Sequence, residues 1–186
     1  MINLQAHLTL PAWVHELDLA TRVIADPVAQ VELAIDLSAR NIAARTGGPF
    51  GAVLFDDQGR ILGAGVNRVE PTTCSVAHAE MMAFMTAQQR TQNFRLNANG
   101  RAVTLATSSQ PCCMCYGASV WAGIDRLLIG ARSEDVERLT EFDEGPLPAD
   151  WVGALRERGI VVERDLAREA ACKVLADYSS GGGLMY

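Results

Sequence analysis

Residues 103–130 read VTLATSSQPCCMCYGASVWAGIDRLLIG. Val103–Thr107 is a short apolar run and predicts a strand. Cys112–Ala122 follows a proline at the position where a helix starts, and Arg126–Gly130 is a second apolar strand. A strand, a helix and a strand in this order form a crossover unit with parallel strands.

Working outward, a helix is predicted near Trp151–Arg158, a strand at Ile160–Glu163 and a final helix at Leu166–Tyr178, after a polar stretch containing EFDEGPLP. Upstream, Asp26-Pro27 has the cap-then-proline start of a helix. Val28, Val31, Ala34, Ile35 and Leu37 to Ile42 supply its apolar stripe up to Thr46-Gly47-Gly48. Phe50–Phe55 and Arg60–Val69 read as a hairpin turning at Asp56-Asp57-Gln58-Gly59, and Val76–Arg90 shows helical spacing. The predicted fold class is α/β, a three-layer α/β/α sandwich around a mixed sheet of about five strands. No repeat or linker divides the chain, so residues 1–186 are read as one domain, with 1–25 an N-terminal leader and 179–186 a Gly-rich tail.

Composition narrows the class further. With 186 residues, 49% hydrophobic and 20% charged, the chain can bury a substantial core, which excludes disordered, collagen-like and mini-protein readings. Sixteen basic against twenty-two acidic side chains give a net charge of −6 and a pI near 5.0. Such a field repels polyanions and disfavours a nucleic-acid or anionic-membrane binder. The single lysine, Lys173, lies in EAACKVLADY, so a phosphate loop is absent and Schiff-base chemistry is disfavoured. His7 and His15 lie near the N-terminus, leaving His78 for imidazole chemistry in the body of the chain. Five cysteines, three of them within Cys112–Cys115, make a poor disulfide framework and a good metal-ligand spacing, which favours a reducing compartment. With no signal-like apolar run and no membrane-length one, a cytoplasmic, soluble protein is expected.

The chemistry is concentrated in His78-Ala79-Glu80 and Pro111-Cys112-Cys113-Met114-Cys115, each at a predicted helix start. Cys112 and Cys115, three apart, share a helix face and can grip one ion, and the positive end of the helix dipole favours their thiolates. His78 as a third ligand leaves the fourth tetrahedral position open, the catalytic rather than the structural zinc pattern. Glu80 points differently from His78 and can reach a water on the ion without ligating it, which suits a general acid/base. Cys113 is the nearest rival ligand, but adjacent residues do not share a helix face. Cys74 and Cys172 read as small buried hydrophobes, and Trp121 and Trp151 as core or interface.

The order His-x-Glu, then Pro-Cys-x-x-Cys, resembles the zinc deaminase signature. With GGPFG, NRV, HAE and PCCMC in sequence, residues 30–186 resemble the cytidine and deoxycytidylate deaminase superfamily, and within it the bacterial guanine deaminase branch. The resemblance implies a cytidine deaminase-like fold and a homodimer. It also implies one Zn2+ per subunit with a catalytic water, and hydrolytic loss of an exocyclic amine as ammonia. Carried over by motif, His78, Cys112 and Cys115 correspond to the zinc ligands and Glu80 to the proton shuttle. Asn67 corresponds to the asparagine that reads the base edge, and Phe50 to a wall of the base pocket. Glu144, in Phe142-Asp143-Glu144-Gly145, corresponds to a second catalytic carboxylate, although Glu141 stands where a small residue is usual. Tyr186 corresponds to a tyrosine that closes the pocket from a C-terminal tail.

The implied partner is a small nucleobase, with no membrane and no nucleic acid. The favoured reaction is guanine to xanthine plus ammonia. Alternatives are another amino-heterocycle such as ammeline, cytosine or a nucleoside, transfer-RNA adenosine, or a non-catalytic zinc module. Transfer RNA fits poorly, because acids and bases nearly balance over the C-terminal region and no basic cluster stands out. A structural module would need a fourth protein ligand, and none is evident.

Overall fold

A computed structural model describes residues 6–185. Its elements in chain order are α1 (Ala12–His15), a 3₁₀ turn (Leu19–Thr21), α2 (Pro27–Ala43), β1 (Gly51–Phe55), β2 (Ile61–Val66), α3 (Val69–Thr72), α4 (Ala79–Thr91), β3 (Thr104–Ser109), α5 (Cys113–Ala122), β4 (Arg126–Ala131), α6 (Ser133–Leu139), α7 (Trp151–Arg156), β5 (Val161–Glu163) and α8 (Arg168–Ser180). The sheet runs β2-β1-β3-β4-β5. β1 pairs antiparallel with β2 and β3, and β3-β4 and β4-β5 are parallel. This is the predicted mixed five-stranded sheet with helices on both faces.

Successive strand residues point to opposite faces, so each strand feeds two cores. Val53, Phe55, Ala106 and Leu128 join Leu37 of α2 and Leu175 of α8 on one side. Ala52, Leu54, Leu105 and Leu127 join Phe84 of α4 and Ala122 of α5 on the other. The α2 start is built as its sequence predicts: the Asp26 carboxylate accepts from the Ala29 N–H at 2.8 Å, and Pro27 needs no partner. At the hairpin turn Asp56 Oδ1 accepts from the Gln58 and Arg60 N–H groups, each at 2.9 Å.

Several boundaries differ from the sequence reading. β2 stops at Val66 rather than Val69, because Asn67 Oδ1 accepts from the Val69 N–H at 3.1 Å and turns the chain into α3. α4 begins at Ala79, since His78 is still extended. The final helix begins at Arg168, after Ala167 takes a left-handed conformation. In the leader, Val14 is buried and Val23 bridges Arg60.

The polar stretch after β4 contains α6, which the sequence reading left without an element. Four of its seven residues are charged, and only Val136 and Leu139 supply an apolar stripe. Its Asp135 is buried, accepting from Arg168 Nε and Nη2 at 2.7 and 2.9 Å, from Arg138 Nη2 at 3.0 Å and from the Arg132 N–H at 3.0 Å. Above all the hydrogen-bonded Arg168 guanidinium holds its carboxyl far below the usual carboxylate range. The stabilisation is therefore complete above the unfolded-state value near about 4 and is lost as pH falls toward the folded-state value. Asp135→Asn should cost about 1–3 kcal/mol at pH 7. The gap to wild type in thermal unfolding midpoint should shrink below about pH 4. A gap independent of pH would show that the charge is not what α6 uses.

Candidate active site

α4 and α5 present their first turns to one cleft. His78 is the residue before α4, with Glu80 in its first turn, and Cys112 is the residue before α5, with Cys115 three further on. The ligand atoms of His78, Cys112 and Cys115 lie within 4.8 Å of one another, and Cys112 Sγ is 3.5 Å from His78 Nδ1. A tetrahedral zinc ion, with bonds of about 2.3 Å to sulfur and about 2.0 Å to nitrogen, wants its ligands about 3.5–3.8 Å apart. The trio fits that ion with small adjustments, and two sulfurs with one imidazole are a donor set zinc favours. Cys113 is exposed and outside the trio.

The two thiols differ in how readily they yield protons. Cys112 is pushed down to about 4, first by the hydrogen bond from Cys115 and, against the cost of burial, by that from His78. Cys115 is pushed up by the same hydrogen bond and by burial. Burial works to lower the His78 value, but Cys112 and the charge on Glu80 outweigh it and hold it above the ordinary one. Glu80 is pushed up to about 7, chiefly by burial and then by the Cys112 charge.

The remaining walls come from distant segments. Phe50, Asn67, Phe142 and Glu144 line the same cleft, which encloses about 100 Å³ and suits a small ligand only. Asn67 is buried, and with its Oδ1 held by Val69 its amide N–H groups remain available to a ligand. Glu144 is buried and pushed up to about 8 by burial, then by the Cys112 and Glu80 charges. The Phe142 ring meets Phe50 edge-on at 5.3 Å and stacks on Tyr178 at 6.1 Å. Six of the sequence-predicted site residues, Phe50, Asn67, His78, Glu80, Cys112 and Glu144, therefore share one cleft, and Cys115 completes the ligand trio with His78 and Cys112. Tyr186 lies outside the described residues. Cys74 and Cys172 are half-buried rather than buried, and Trp121 is exposed.

The sequence reading missed Ser108 and Ser109, which end β3, and Gln110, which follows it; all three line the cleft. Their position at the carboxyl end of a central strand, just before the Pro-Cys motif, was the available signal.

The Glu144 loop is tied to α5 by the Cys113 N–H, which donates to the Glu144 carbonyl at 3.0 Å. Gly145 takes φ +68°, and a Cβ there would fall 2.6 Å from Cys113 Sγ. Gly145→Ala should lower kcat/KM about tenfold or more, while costing only about 1 kcal/mol of stability. Unchanged kinetics would mean that the loop's placement does not matter to turnover.

Comparison with known proteins agrees with this geometry. The family profile for the cytidine and deoxycytidylate deaminase zinc-binding region matches residues 28–131. The chain belongs to the cytidine and deoxycytidylate deaminase family. This family membership extends to full-length structural likeness. The chain superimposes on NE0047 in complex with 2,6-diaminopurine with a TM-score of 0.91 and 44% identity, over 97% of this chain and 95% of that one. A variant of NE0047 in complex with 8-azaguanine gives 0.91 at 43%, over 96% and 99%. Guanine deaminase from Nitrosomonas europaea gives 0.90 at 42%, over 97% and 99%. Among curated sequences, the tRNA-specific adenosine deaminase of Buchnera aphidicola is 32% identical over 70% of this chain and 79% of its own. Guanine deaminase of Bacillus subtilis is 35% identical over 55% of this deaminase-family chain and 62% of its own. Among the described residues no helix is long and apolar enough to cross a membrane.

Proposed function

We propose that the chain is a zinc-dependent hydrolytic deaminase of a free purine base, converting guanine to xanthine with release of ammonia. The observation that carries this reading is the cleft, where a His/Cys/Cys trio and two buried carboxyl groups meet the rings of Phe50 and Phe142 in the lining. Likeness over nearly the whole chain to a guanine deaminase supports it. One zinc ion per subunit, held by His78, Cys112 and Cys115, would acidify a water and make it a nucleophile near neutral pH.

Glu80 accepts a proton from that water as the water oxygen bonds to C2 of guanine, and delivers it to the adjacent ring nitrogen. The new C2 hydroxyl then gives its proton to Glu80 and becomes the xanthine carbonyl, while the amine takes one proton, from Glu80 directly or from Glu144 with Glu80 restoring it, and leaves as ammonia. A carboxyl group near 7 can perform both transfers, because it gives and takes a proton with little driving force either way. Burial keeps Glu144 protonated and ready to donate. Asn67 donates its amide N–H to an acceptor on the base edge, and Phe50 and Phe142 flank the ring. Tyr186, by family resemblance, would close the pocket.

A transfer-RNA substrate fits less well. The cleft is small, and a net charge of −6 offers no phosphate-binding field. We assign the chain to the cytoplasm, where its free cysteines would stay reduced. A homodimer fits the exposed Phe94 and Trp121, which flank an apolar groove between α4 and α5. A sedimentation mass of one chain at micromolar concentration would argue against it.

The decisive experiment is ammonia release by zinc-loaded protein from guanine, guanosine, cytosine, cytidine, adenine and ammeline in parallel. Release from guanine, alone or with ammeline, is expected. Release from a different member would keep the chemistry and displace the base assignment. Silence from all six would favour a non-catalytic zinc module.

A further inference from the structure

Behind the base-facing wall lies a side chain that neither the motifs nor the mechanism uses. Asn41, near the end of α2, is fully buried. Its Nδ2 donates both to the Gly48 carbonyl and to the Asn67 carbonyl, each at 2.9 Å. Its Oδ1 accepts from Thr46 Oγ1 at 2.8 Å, and that hydroxyl accepts in turn from Trp13 Nε1 at 3.0 Å. A buried amide with every polar group matched has its orientation set by its partners.

The two carbonyls that Asn41 joins belong to the two segments forming the recognition wall. Gly48 leads into Phe50, whose carbonyl accepts from the Asn67 N–H at 3.1 Å. The segments are pressed together so closely that a Cβ at Gly47 would lie 1.9 Å from the Asn67 carbonyl oxygen. Arg68 reinforces the same junction from outside, donating to the Thr46 carbonyl and to the Thr9 carbonyl. The Asn67 backbone is therefore held from α2, and its side chain by Val69, leaving little freedom except in the amide N–H groups.

We propose that Asn41 is a positioning residue for base recognition: by bridging the Gly48 and Asn67 carbonyls it sets the distance between the Phe50 wall and the Asn67 amide. Trp13, in the N-terminal segment, holds Asn41 in the bridging orientation through Thr46. The inference rests on the reading of Asn67 as a base contact. Asn41 touches no reacting atom, so its loss should weaken binding more than the chemical step.

The test uses the zinc-loaded, full-length protein with guanine as substrate and 8-azaguanine as binding probe. In Asn41→Ala, KM for guanine and Kd for 8-azaguanine should rise about tenfold, with kcat lowered by no more than about threefold. In an Asn67→Ala background the same change should alter kcat/KM by less than about twofold, because the group it positions has gone. An equal loss in both backgrounds, or unchanged KM and Kd in Asn41→Ala, would overturn the proposal. Should Asn41→Ala fail to fold, Thr46→Val, which leaves both carbonyls their donor, is read by the same criteria. If Asn67→Ala itself binds 8-azaguanine like wild type, the base-contact reading falls first and this proposal with it.

Discussion

Glu80→Ala should retain zinc and lose about 10⁴-fold in kcat. The carboxyl sits in the first turn of α4, buried and held near 7, where it can take the water's proton and return it to the ring. A single positioned proton transfer contributes about 10²–10⁴-fold, and in the proposed mechanism Glu80 would serve more than one. Zinc content measured beside turnover separates this role from metal binding, because alanine leaves the His78, Cys112 and Cys115 atoms untouched. Glu80→Gln should be nearly as inactive, since an amide keeps the shape and cannot carry the proton. Substantial turnover in either variant would refute the role.

Cys115→Ser should reverse the pattern, losing zinc along with activity. Cys115 is fully enclosed, so no outside ligand can replace its sulfur, and a serine hydroxyl is a far poorer zinc donor. Zinc occupancy after dialysis should fall more than about tenfold, and turnover with it. Bound metal also stabilises the folded state by mass action. Wild type should therefore lose several degrees of unfolding midpoint when zinc is removed by a chelator, while Cys115→Ser should lose little more. Full zinc occupancy in the variant would remove Cys115 from the ligand set. Together the two substitutions divide the site into the part that holds the ion and the part that moves protons.

The legible portion of this protein was the portion with short-range logic. The α2 cap at Asp26-Pro27, the hairpin turn at Asp56 and the alternation after residue 100 are local patterns that backbone geometry translates directly. α6 escaped because its placement depends on Arg168 from a helix some thirty residues later, and a segment with four charges in seven offers only Val136 and Leu139 as an apolar stripe. Residues 67–69 were read as strand because a polar side chain capturing a backbone N–H leaves no trace in hydrophobic pattern.

The same division runs through the site. The sequence by itself singled out His78, Glu80, Cys112 and Cys115 as candidates, because His-x-Glu and Cys-x-x-Cys are short spacings that can be read without knowing how the two segments meet. It also supplied Asn67, Phe50 and Glu144 as separate suggestions carried by resemblance. Only the tertiary structure decided that those three face one cleft, that Phe142, in its wall, stacks on Tyr178, and that Asn41 joins the Gly48 and Asn67 carbonyls while Thr46 links it to Trp13. The reason is physical: contacts between residues far apart in sequence depend on where two cores and a mixed sheet place them, and no local preference encodes that placement.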